Sequence, residues 1–185
     1  TSMNYNLEKA KELFLLSLNK QFDGNILQAK NLLEKALQFA PDRESIVNNL
    51  LVINFSLRDI EAIEKLNQHV DSLDSSLIYF RYLGEAQINF IKNNHELSIN
   101  ACLKLLSEIN FKEIHGQCFD LLAKNYFKQK NLQKLFFYLK ANLRFSNFNE
   151  QILYNIGSIL QYLSKPRAAI YFIKKALQKR DDKSY

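Results

Sequence analysis

The stretch Tyr154-Asn-Ile-Gly-Ser-Ile-Leu-Gln-Tyr-Leu-Ser-Lys-Pro-Arg-Ala-Ala-Ile-Tyr-Phe-Ile-Lys-Lys-Ala-Leu177 decides the fold. Gly157 and Ala169 stand twelve residues apart in it, and Ala176 follows seven later. The same ruler fits the other end of the chain, where Ser17 precedes Ala29 by twelve and Ala36 follows by seven, with Pro41 closing the unit. Small residues at such steps let two antiparallel helices approach closely where they cross. Their recurrence marks an internal repeat of a helix pair.

Composition agrees. Hydrophobic residues make up 47% of the 185-residue chain, with only 4 Gly and 2 Pro. Both residues break helices, so their scarcity favours an all-α chain with short polar connections. No apolar run approaches the ~20 residues of a membrane span. Leu13-Phe-Leu-Leu-Ser-Leu18 follows Glu8, Lys9, Lys11 and Glu12 and reads as amphipathic helix rather than signal peptide. Thr1-Ser2 ahead of Met3 reads as an expression remnant, with Met3 the expected native start. Two cysteines, Cys102 and Cys118, make no disulfide framework, and a reducing, cytoplasmic setting is expected. The sequon Asn54-Phe-Ser56 falls inside a helical pattern and is read as chance.

Apolar periodicity predicts ten helices in five pairs, at 4–21 and 25–39, 43–57 and 59–72, 76–92 and 95–107, 112–129 and 131–145, and 149–163 and 165–179. Pro166 suits the first turn of the last helix. The crossing sites fall at Ser17, Leu51, Gly84, Ala123 and Gly157 in the first helices, and at Ala29, Ala62, Ser98, Leu135 and Ala169 in the second. Separations within pairs are then 12, 11, 14, 12 and 12. That predicts a shortened turn near Arg58-Asp59 and an enlarged one at Asn93-Asn94-His95.

These residues resemble the tetratricopeptide repeat (TPR) family. Leu153, Ile156, Gly157, Leu160, Ala169, Ile173 and Ala176 match its pattern in the last repeat, and Leu13, Leu16, Ser17, Ala29, Leu33, Ala36 and Pro41 in the first. Phe80, Leu83 and Gly84 match in the third repeat, and Leu122, Ala123 and Tyr126 in the fourth. Leu51, His69, Leu135 and Asn142 depart from it. The resemblance covers nearly the whole chain. It implies one domain over 1–185, a right-handed superhelix of about five repeats (10–43, 44–76, 77–115, 116–149 and 150–183) with a concave groove lined by the first helices. It also implies a non-catalytic scaffold that binds a peptide or partner protein.

Inward positions predict a groove of Asn48, Asn49, Arg81, Tyr82, Glu85, Asn89, Asp120, Lys124, Lys128, Tyr154, Asn155, Ser158 and Tyr162. Asn offers donors and acceptors to a peptide backbone, and Tyr offers rigid contact area with a polar tip. Mixed charge there predicts a polar partner segment of mixed charge. Some TPR domains clamp a C-terminal carboxylate with Lys, Asn and Arg. Of the matching sites only Asn49 fits; Phe14, Leu18, Ile78 and Tyr82 do not, which argues against that clamp.

No catalytic or cofactor motif is present. His115 and Cys118 supply two metal ligands where structural zinc takes four. Net charge is −2 over residues 1–92 (10 Lys/Arg, 12 Asp/Glu) and +8 over 93–185 (15 and 7). Phe136-Phe137-Tyr138 and Tyr126-Phe127 lie among Lys124, Lys128, Lys130, Lys134, Lys140 and Arg144, a pattern that could stack bases, though packing between helices is the favoured reading. Specific nucleic-acid binding is not expected. Ile170, Phe172, Ile173 and Leu177 leave the last helix with an apolar edge. That edge suits self-association or a neighbouring domain. The repeats are similar to those that precede glycosyltransferase or sulfotransferase domains in some bacterial proteins, which implies as the alternative an N-terminal arm of such a larger enzyme.

Overall fold

A computed structural model describes residues 2–73, 77–110, 112–145, 150–162 and 164–183; the side chains at 112–113, 145, 150–152, 155, 162 and 180–183 lie outside the described set. The ten expected helices are present: α1 Ser2–Phe22, α2 Ile26–Phe39, α3 Glu44–Ser56, α4 Ile60–Asp71, α5 Ile78–Ile91, α6 His95–Glu108, α7 Lys112–Lys128, α8 Leu132–Phe145, α9 Glu150–Tyr162 and α10 Pro166–Lys183. Helices adjacent in sequence pack as α1 on α2, α3 on α4, α7 on α8 and α9 on α10. The chain forms two units, Thr1–Leu97 and Ser98–Tyr185.

The turn inside each pair is the strictest repeat. At each of five described turns one residue adopts positive φ: Gly24 (82°), Arg58 (54°), Asn93 (64°), Lys130 (59°) and Ser164 (59°). Each turn makes the same two backbone bonds. Gly24 N–H donates to the Gln21 carbonyl and Asn25 N–H to Lys20; Arg58 and Asp59 donate likewise to Phe55 and Asn54, and Asn93 and Asn94 to Phe90 and Asn89. Lys130 and Asn131, then Ser164 and Lys165, repeat the pattern. This is the Schellman closure, which satisfies carbonyls left over at a helix end. The next residue starts the second helix. Asp59 accepts the Ala62 N–H at 3.0 Å and Asn131 accepts that of Lys134 at 3.2 Å. Asp59 also pairs with Lys30 at 2.9 Å. The Ala62 N–H, then the Lys30 ammonium, hold its carboxyl below the usual carboxylate range.

Counted from these turns, the register corrects the sequence expectation in two pairs. A buried residue lies seven before each left-handed residue, at Ser17, Leu51, Ala86, Ala123 and Gly157. Another lies five after it, at Ala29, Ile63, Ser98, Leu135 and Ala169. The separation is therefore twelve in every pair. Ile63 is fully buried whereas Ala62 is half-buried, so the second pair lacks no turn residue. The third turn is not enlarged; the count of fourteen arose from taking Gly84 in place of Ala86, two residues further along α5. Gly84 is buried against the preceding helix instead, where an added Cβ would sit 2.3 Å from Asn67 Oδ1. Gly157 meets its own partner helix, at 2.6 Å from Ile173 Cγ1 and 3.1 Å from the Ala169 carbonyl. Beyond the crossing site the second helices bury a common set four and seven residues on: Leu33 and Ala36, Asn67 and Val70, Cys102 and Leu105, Leu139 and Asn142.

Candidate functional site

The first helices of unit 1 each leave one face open. On α3 it carries Asn48 and Asn49, both half-buried, with exposed Val52 (44%) and Ser56. Counted from the crossing residues Leu51 and Ser17, the equivalent positions of α1 are Phe14, Leu15, Leu18 and Phe22. Leu15, Leu18 and Phe22 are 49%, 39% and 93% exposed. A different α3 face, at Ile46, Leu50 and Ile53, is buried in the fold. Its α1 equivalents are Glu12, Leu16 and Asn19, two of them polar. The apolar stripe of α1 therefore matches the open face rather than the packing face. From the sequence, Phe14 and Leu18 read as part of an amphipathic helix and as mismatches to a carboxylate clamp, not as a binding face. Reading all four residues at the open positions would have revealed the stripe.

On α5 the open face is polar and internally paired. Arg81 Nε donates to Asp71 Oδ1 at 3.0 Å and to Oδ2 at 3.2 Å, while its terminal nitrogen pairs with Glu85. Glu85, then Asp71, raise the guanidinium pKa further above its ordinary value. Two carboxylates on one guanidinium leave a surplus negative charge. Asn89 Oδ1 accepts from Asn94 Nδ2 at 3.3 Å, and Asn49 Nδ2 donates to the Ser45 carbonyl at 2.7 Å. Tyr82 is 44% exposed with its ring open to solvent.

In unit 2 the candidate residues Asp120, Lys124, Lys128, Tyr154 and Ser158 are exposed. Lys124 pairs with Asp120 one turn earlier, so two of the expected groove charges neutralise each other. The side chains of Asn155 and Tyr162 lie outside the described residues.

The aromatics divide. Tyr126 is buried, stacked on Tyr138 at 5.7 Å and 5°, with Lys134 Nζ 5.2 Å from its ring centre. Burial, then Tyr126, raises the Tyr138 phenol pKa. Phe127 and Phe137 instead reach solvent, at 58% and 65% exposure, so the packing reading holds for only part of the cluster. The two cysteines meet in the core of unit 2. Both are buried, and a hydrogen bond with Cys118, then burial, pushes the Cys102 thiol well up. Such thiols are poor nucleophiles. His115 turns its Nε2 to the Ile109 carbonyl. Among the described residues no three potential metal ligands cluster. Asn54 of the sequon is 2% exposed, leaving no room for a glycan. No helix among the described residues is long and apolar enough to cross a membrane.

No protein-family model matches the chain, and no curated protein matches it in sequence. Solved structures do. PilF of Pseudomonas aeruginosa superposes with a TM-score of 0.60 at 17% identity, over 94% of this chain and 77% of that one. MamA superposes at 0.57 with 18% identity, over 91% and 96%. MamA residues 41 to the end, from Desulfovibrio magneticus RS-1, superposes at 0.54 with 10% identity, over 96% and 98%. These are TPR proteins, and the likeness shows that this chain has the TPR-type fold, all-α with helices packed in sequential pairs.

Proposed function

We propose that this protein is a non-catalytic binding scaffold that holds a segment of a partner protein against the open faces of α1, α3 and α5. The observation that carries this is the change of character along those faces. α1 offers Phe14, Leu15, Leu18 and Phe22; α3 adds Val52 beside Asn48 and Asn49; α5 adds Tyr82 and the Arg81 cluster. Exposed apolar side chains at consecutive positions mark an interaction surface better than scattered ones. The expected partner is accordingly amended: apolar where it crosses α1 and polar where it crosses α3 and α5. The ion pairs of α5 and α7 already occupy charges expected to meet a partner of mixed charge, and the surplus left on α5 is negative.

The test is capture of the native partner by four proteins: wild type, Leu18→Ser/Phe22→Ser, Asn49→Ala/Tyr82→Ala, and the exposed control Lys104→Ala. Surface changes of this kind should leave unfolding within ~0.5 kcal/mol. Loss of capture in either of the first two doubles, with the control intact, supports the groove. Undiminished capture by both contradicts it.

A second reading has one observation in its favour. Leu177 of α10 is 53% exposed, while Leu143, at the same position of α8, is 5% exposed. With Ile170 and Tyr171 also exposed, α10 offers a face for a second copy or a further domain. Sedimentation that depends on concentration, and loses that dependence in Leu177→Ser, would favour a second copy.

A further inference from the structure

Unit 2 contains a cleft of about 770 Å³ between α8 and α10, floored by Ile156 and Leu160 of α9. Phe136, Phe137 and Phe172 wall it, and Ala141 and Ala168 leave it open. Its charged lining is of one sign. Lys140, Arg144 and Lys165 border it, and no acidic side chain is among the described residues that line it. All three are exposed. None of their side chains forms an ion pair or hydrogen bond with a described residue. Elsewhere in the fold, Lys30, Lys124 and Arg81 each have a carboxylate partner. Phe137 stands beside these cations with 65% of its surface in water.

Unpaired cations around an apolar floor call for a ligand with both characters. We infer that this cleft is a binding site for an acidic amphipathic peptide, one that places bulky apolar side chains against Phe137, Phe172 and Leu160 and carboxylates against Lys140, Arg144 and Lys165. The volume lies within the range of ligand pockets, roughly 300–1,000 Å³. Carboxylates suit the rim because a charge-assisted bond to Arg or Lys is stronger than a neutral one. Nucleic acid fits less well. It draws affinity from many phosphate contacts along a track and from bases stacked on aromatic faces. Here three cations surround a floor that is partly aliphatic. The site is built from residues of unit 2 alone and does not rest on the groove reading, which is built from unit 1. It also gives the +8 of the second half a role that the groove leaves unassigned.

The test uses the full chain and labelled probes read by fluorescence anisotropy. The first probe is a 15-residue peptide alternating Leu or Phe with Glu or Asp. The second has its acids replaced by Gln and Asn, the third is polyglutamate, and the fourth is oligothymidine. The proposal expects the first to bind at least about tenfold more tightly than the others, with an affinity that falls as salt rises. Lys140→Glu/Arg144→Glu and, separately, Phe137→Ser should each weaken it at least about fivefold. Lys92→Glu/Lys104→Glu, an equal charge reversal at exposed residues that do not line the cleft, should not. The Phe137→Ser arm keeps the test decisive if charge reversal disturbs α8. Equal binding of polyglutamate, stronger binding of oligothymidine, or indifference to both cleft variants would each overturn the proposal.

Discussion

Gly84 and Gly157 look alike in sequence, each a small residue near the middle of the first helix of a pair. Their surroundings differ. Gly157 lies against its own partner helix, where an added Cβ would press on the Ala169 carbonyl and the Ile173 backbone nitrogen as well as the Ile173 side chain. Gly84 lies against Asn67 of the preceding helix, and the three atoms nearest an added Cβ all belong to that side chain. A small residue thus reports a close approach without saying to which neighbour. The turn supplies what the glycine does not. Seven residues before a left-handed turn residue lies a buried position in every pair, and in the third pair that is Ala86.

The comparison predicts an order of effects. Adding bulk at a crossing inside a pair should cost most. Gly157→Ala and Ala169→Leu at a crossing, and Ala36→Leu at the fully buried site seven residues beyond the crossing in α2, should each lose roughly 1–3 kcal/mol in denaturant unfolding, because overpacking has little room to relax. Ala168→Leu should lose less, since Ala168 is half-buried and borders the open cleft, not solvent alone as an outward position would. Equal losses at Ala168 and Ala169 would break the register. Gly84→Ala should cost less than Gly157→Ala, because Asn67 can turn aside and its Oδ1 has no partner to lose among the described atoms. A larger loss at Gly84 would show that the crossing was misplaced. The smallest effect is a gain. Gly116 in α7 has nothing within 4 Å of an added Cβ, so Gly116→Ala should add about 0.5–1 kcal/mol.

The helices and their pairing were legible because 3.6-residue periodicity survives degenerate repeats. Pro166 located the start of α10 outright. The register of the second and third pairs was not legible. Ala62 and Gly84 drew attention as small residues, but Ile63 and Ala86 hold the sites set by the turns. Arg58, Lys130 and Ser164 also hide the turns, since none is a residue that favours positive φ. At the candidate site, Asn48 and Asn49 of α3 are half-buried rather than open, while the exposure of Tyr82 and Glu85 on α5 followed from phase. The pairing of Arg81 with Asp71 did not, because it depends on how the end of α4 meets α5. The cleft between α8 and α10 was hidden as well, because basic and aromatic residues spaced at helical intervals look the same whether they border a hollow or a filled surface.

The claim that the turns set the register is tested most directly at the second pair, where the sequence suggested a missing residue. The measurement is urea unfolding of Arg58→Gly and Asp59→Ala at neutral pH. Left-handed geometry costs an L-residue roughly 1–2 kcal/mol, partly offset by the extra unfolded-state freedom of Gly. Arg58→Gly should therefore gain about 0.5–1 kcal/mol. Asp59→Ala should lose at least about 1 kcal/mol with the cap on Ala62 and the pairing with Lys30. A loss in Arg58→Gly, or an Asp59→Ala variant as stable as wild type, would contradict the account.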